Sequence, residues 1–66
     1  MKVNLVGEIA KRKILISDIA EYIGVHRNTV TNKIYGKQDF TLSEAFAIAD
    51  HYFPDCDFRW LFAVSE

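Results

Sequence analysis

Apolar residues recur every three or four positions along most of this chain, the period of a helix with one buried face. Leu5, Val6, Ile9 and Ala10 keep that spacing and predict an amphipathic helix over residues ~3–12, with Asn4 or a neighbour as its N-cap. Lys11, Arg12 and Lys13 close it, where cations complement the negative end of the helix dipole and are equally suited to touching a phosphate. Ile14, Leu15 and Ile16 follow as an apolar connector, expected to be buried between the first two helices. A second helix starts near Ser17, whose hydroxyl is placed to cap it, with Asp18 at the end that favours negative charge. Gly24 stops this helix where the backbone needs positive φ, and Val25 returns the turn to the core. Beyond His26, Val30 and Ile34 stand four apart on one face of a third helix, while Arg27, Asn28, Thr31 and Asn32 fall on its other faces. Gly36 ends that helix, and Lys37, Gln38 and Asp39 make a polar loop.

The firmest boundary is Thr41-Leu42-Ser43-Glu44, a capping box in which the Thr41 hydroxyl takes the Glu44 N–H and the Glu44 carboxylate reaches back to Thr41. A fourth helix then runs from Leu42 to about Phe53, with Leu42, Ala45, Phe46, Ala49 and Phe53 predicted as its packing stripe, and Pro54 stops it. Asp57 caps a short fifth helix, Phe58 to about Val64, in which Phe58, Leu61 and Phe62 fit a buried face. So small a domain has little interior for Phe58, Trp60, Leu61, Phe62 and Val64 together, so an apolar patch is expected on its surface. The pattern predicts a single all-α domain of five helices over residues 1–66.

Ala20, Gly24, Val25 and Val30, at positions 5, 9, 10 and 15 of a twenty-residue unit, resemble the helix-turn-helix of phage-repressor and Cro-type DNA-binding domains. With the flanking segments, the resemblance spans nearly the whole chain and implies a lambda-repressor-like fold whose third helix enters the DNA major groove. Carried over residue by residue, it puts Arg27 and Asn28 at positions that reach base edges, with Asn32 one turn later. Arginine pairs bidentately with guanine O6 and N7, and asparagine with adenine N6 and N7. Thr31 suits a thymine methyl or a phosphate, and Lys33, Lys37 and Gln38 suit the DNA backbone. Two departures from the family stand out. His26 occupies the N-cap position where relatives keep serine or threonine, and Leu15 stands where they cap the second helix, so Ser17 inherits the phosphate-touching role at a shifted position.

Composition narrows the function further. The chain has 66 residues, half of them apolar and nine aromatic, which is too hydrophobic for disorder and too short to hold an enzyme cleft comfortably. The Asp50-His51 pair does not make a catalytic dyad, because adjacent helical residues do not face each other. His26, His51 and Cys56 lack metal-ligand spacing, so neither metal nor cofactor is expected. The single cysteine and the lack of anything resembling a signal peptide or a membrane-length apolar run predict a cytoplasmic protein.

The formal charge of −1 is unevenly divided. Residues 1–38 hold seven basic side chains against three acidic ones, whereas residues 39–66 hold one basic against six acidic. A molecule basic towards its helix-turn-helix end is expected, and such asymmetry orients a protein on DNA. The sequence thus predicts a small repressor or Cro-like regulator that binds a double-stranded operator as a homodimer through Phe58, Trp60 and Phe62. Its rival is an adaptor on the same fold that holds another regulatory protein with the C-terminal aromatic patch.

Overall fold

Five helices and the turns between them make up the protein in the computed structural model, which describes residues 1–64: α1 (Val3–Lys11), α2 (Ile16–Ile23), α3 (Arg27–Tyr35), α4 (Leu42–Tyr52) and α5 (Phe58–Leu61). Among the described residues there is no strand, so the all-α expectation holds. Each helix contributes to one core. Leu5 and Ile9 of α1, Ile19 and Ala20 of α2, Val30 and Ile34 of α3, Ile48 and Ala49 of α4, then Phe53 and Leu61, are all buried in a single cluster. Full burial of a residue such as Phe53 or Leu61 contributes about 1.5–3 kcal/mol.

The turn between α2 and α3 forms as the sequence predicts. Gly24 adopts φ 78°, and the Val25 N–H closes back onto the Ala20 carbonyl, which satisfies one of the last free acceptors of α2. Gly36, at φ 94°, ends α3 in the same left-handed conformation. The α4 capping box is complete, with Glu44 N to Thr41 Oγ1 at 3.1 Å and Thr41 N to Glu44 Oε1 at 2.9 Å. Asp57 caps α5 by accepting from Trp60 N.

Several expectations are corrected. Leu15, not Ser17, stands at the N-cap of α2, which has no side-chain cap at all, and Ser17 lies within the first turn. Leu15 points outward at 61% exposure, so the connector is not wholly core. Asn4 does not cap α1. Its side chain donates to the Trp60 carbonyl at 2.9 Å and ties α1 to α5. On α4 the buried stripe is Ala45, Ile48 and Ala49, whereas Leu42 and Phe46 are exposed, because the stripe is rotated towards Ile48. The fifth helix is one turn long and ends at Leu61.

Two polar ties hold the perimeter of this small core. At one end of α1, Arg12 forks onto both carboxylate oxygens of Asp55 at 2.8 and 2.7 Å, donates to Glu8 Oε1 at 3.1 Å and the Tyr52 carbonyl at 3.2 Å, and lies over the Phe53 ring. The hydrogen bond from Arg12 holds the Asp55 carboxyl below its usual range, and the same bond raises the guanidinium. At the other end, the Lys2 N–H donates to the Ile34 carbonyl and Lys2 Nζ to the Lys33 carbonyl, both at 3.0 Å. These are acceptors of the last turn of α3, where a cation also meets the negative end of the helix. Lys33 Nζ in turn donates to Glu44 Oε1, the oxygen that already receives Thr41 N.

The Lys33 hydrogen bond, reinforced by Thr41, lowers the Glu44 pKa from its ordinary 4.5. A depressed folded-state value stabilises the protein fully above pH 4.5, and that contribution disappears as pH falls through the folded-state value. Glu44→Ala removes half of the capping box and strands the Lys33 ammonium, so urea denaturation at pH 7 is expected to show a loss of about 2–3 kcal/mol. The difference between variant and parent should shrink on acidification below pH 4.5.

Candidate nucleic-acid interface

Residues of α3 divide cleanly by face. Val30, Lys33 and Ile34 turn inward, and Arg27, Asn28, Thr31 and Tyr35 turn to solvent, with Asn32 half-buried between them. At 100° per residue, 27, 28, 31 and 35 form one continuous surface about two and a half turns long. Sequence reasoning missed Tyr35, which is 54% exposed. Its signal was present, since it lies four residues beyond Thr31 and seven beyond Asn28.

His26 starts the helix as an N-cap, with Nδ1 accepting from Asn28 N at 3.1 Å. The ring therefore does the work of the serine or threonine that a typical cap supplies, and it leaves the Arg27 and Asn28 side chains free at the exposed helix start. Thr31 Oγ1 donates to the Arg27 carbonyl at 3.2 Å, so its hydroxyl is committed to its own helix. Past Gly36, the N–H groups of Lys37 and Gln38 both fold back to the Asn32 carbonyl, at 2.9 and 3.4 Å. Their side chains are exposed, as is Ser17.

Lys33 is the clear correction among the expected backbone contacts. Its side chain is buried against Glu44 and close to the Phe40 ring, so its charge is consumed inside the fold. A lysine at this position on a polar helix reads as a surface cation, and only the approach of α4 turns it inward. Lys2 and Arg12 are internally engaged as well. Of the seven basic side chains in residues 1–38, those left exposed are Lys11, Lys13, Arg27 and Lys37, and Lys11 lies 3.9 Å from Glu8. The basic end of the molecule is correspondingly weaker than its composition suggests. Asp39, whose side chain is exposed, lies 4.0 Å from Lys2 Nζ.

The C-terminal residues do not share one face as expected. Phe58 and Phe62 are half-buried and pack with ring centroids 5.1 Å apart and tilted by 38°, with Phe46 on one side of the pair and Phe40 on the other. Trp60 lies ~200° around the short helix from Phe58 and is 46% exposed beside α1. The apolar surface above these packed phenylalanines is supplied instead by Leu42, Phe46 and Val64, all exposed, Leu42 at 70%. Among the described residues, no helix is long and apolar enough to cross a membrane.

No protein-family model, curated protein or solved structure matches the chain. His26→Ala should remove the cap of α3 and lower unfolding stability by about 1 kcal/mol, whereas His26→Ser should retain it, as thermal melts of the two variants would register.

Proposed function

We propose that the protein binds double-stranded DNA in a sequence-specific manner, inserting the exposed face of α3 into the major groove, and that it acts as a small transcriptional regulator. The observation that carries this reading is the continuous surface of Arg27, Asn28, Thr31 and Tyr35 on a helix whose opposite face is locked into the core. Arg27 and Asn28 have the donor geometry for guanine and adenine edges, and they stand at the end of the helix from which major-groove readers reach bases. The helix-turn-helix spacing of Ala20, Gly24, Val25 and Val30 supports the same reading. Lys37 and Gln38 supply backbone contacts beside the helix end, and Lys33 does not.

This division of labour is testable by salt. Anisotropy titrations of a fluorescent duplex at several salt concentrations should show Lys37→Gln weakening binding and lowering the log–log salt slope by about 1. Lys33→Met, whose parent side chain is buried, should leave the slope unchanged in protein that remains folded. Arg27→Ala should cost ~1–3 kcal/mol on a preferred duplex and much less on an unrelated one. Equal losses on both duplexes would contradict base readout by Arg27.

The apolar face of Leu42, Phe46 and Val64 above Phe58 and Phe62 favours a protein contact as a second element of the proposal, namely a symmetric dimer that presents two copies of α3. An adaptor that holds another protein through this face is the competing reading. Phe46→Glu should convert a dimer to a monomer in sedimentation analysis. A parent protein that sediments as a monomer at high concentration would leave the face to a different protein.

A further inference from the structure

Where the C-terminal end of α4 meets α2, two tyrosine rings and two carboxylates line an open notch of about 480 Å³, formed by Asp18, Glu21, Tyr22 and Tyr52. His51 stacks on Tyr22 at 4.1 Å and 17°, and meets Tyr52 edge-on at 4.6 Å. Tyr22 and Tyr52 are 5.8 Å apart and nearly perpendicular, at 80°, so they form two adjoining walls. His51 covers one face of Tyr22. The two carboxylates at the rim, Asp18 and Glu21, are exposed and make no ion pair among the described residues.

Helix electrostatics explain only one of these charges. Asp18 lies in the first turn of α2, where a carboxylate is favoured. Glu21 lies in the last turn, where it opposes the dipole and where no neighbouring cation compensates it among the described residues. The field of the pair reaches into the notch. The Tyr52 phenol is pushed above its ordinary value by burial, and further by Asp18, Tyr22 and Glu21.

We propose that this notch is a docking site for an arginine side chain of a protein partner. A guanidinium is planar, weakly hydrated and forked, so it can lie against a tyrosine face while donating to carboxylates at the rim. Lysine offers a point charge that keeps its water more tightly and does not stack. DNA is excluded as occupant by the charge of Asp18 and Glu21, and an apolar ligand by the unpaired carboxylates. The site is separate from the exposed face of α3 and from the apolar α4–α5 surface, so it is independent of the DNA reading.

The test uses the full chain without DNA and three probes, the Nα-acetylated methylamides of arginine, lysine and citrulline, followed by proton–nitrogen and aromatic proton–carbon NMR spectra. Arginine should give saturable shifts centred on Asp18, Glu21, Tyr22 and the Tyr52 ring. Lysine should bind roughly fivefold more weakly, and citrulline, which keeps the shape without the charge, should not saturate. The double variant Asp18→Asn, Glu21→Gln changes only exposed positions and should abolish saturation. Tyr22→Leu, which keeps apolar cover without the aromatic face, should weaken binding by a similar factor to the lysine probe. Equal binding of arginine and lysine, saturation by citrulline, or shifts spread evenly over Asp50, Asp55 and Asp57 would each overturn the proposal. Duplex titrations of the same double variant separate the two functions, since loss of the arginine site should leave DNA binding in place.

Discussion

One oxygen, Oε1 of Glu44, accepts both the backbone N–H of Thr41 and the ammonium of Lys33, and so joins the start of α4 to the last turn of α3. The Lys33 and Ile34 carbonyls receive Lys2, which brings the start of α1 to the same place. Val30 and Ile34 fix the inner face of α3 in the core. The helix is thus held by side-chain packing, by an ion pair and by donors to its terminal carbonyls, and its outer face is presented with little freedom to reorient. Order established on folding need not be established again on binding, which is how preorganisation converts fold stability into affinity and selectivity.

A chain of this length buries too small a core to hold its periphery by apolar contact alone, since a 60-residue domain removes only about 60% of its unfolded surface from water. Here the shortfall is met by charge. Arg12 joins α1, the end of α4 and the loop before α5 through Asp55, Glu8 and the Tyr52 carbonyl, while Lys2 and Lys33 do the equivalent at the opposite edge. Three cations that composition would assign to a nucleic-acid surface are structural. The surface that remains has distinct regions: the polar face of α3, the apolar face over Phe58 and Phe62, and the acidic notch between α2 and α4.

Features set by neighbouring residues were legible in the sequence. The Thr41–Glu44 capping box, the Asp57 cap, the left-handed glycines at 24 and 36, and the inward Val30 and Ile34 all depend on local spacing, and all form. What sequence could not supply depends on partners distant along the chain. Asn4 looks like a cap until α5 offers it the Trp60 carbonyl, 56 residues away. Lys33 looks like a surface residue until Glu44 approaches, and Leu42 and Phe46 satisfy the helical period as well as Ile48 does, so only the placement of α2 and α5 decides which stripe is buried. In the candidate site, Arg27 and Asn28 were legible from their places in the helix-turn-helix unit and Thr31 from its polar side chain on the same helix, whereas Tyr35, at the end of α3, carries no motif position and was missed.

Whether the outer face of α3 reads base sequence can be decided by selection from a pool of random duplex DNA with purified, folded protein at moderate salt. Sequencing of the retained pool should reveal a two-fold symmetric motif with half-sites about one helical turn apart, the spacing that two copies of α3 require. Retention of DNA without enrichment of any sequence, or no retention by protein with a cooperative melt, would contradict base readout by α3.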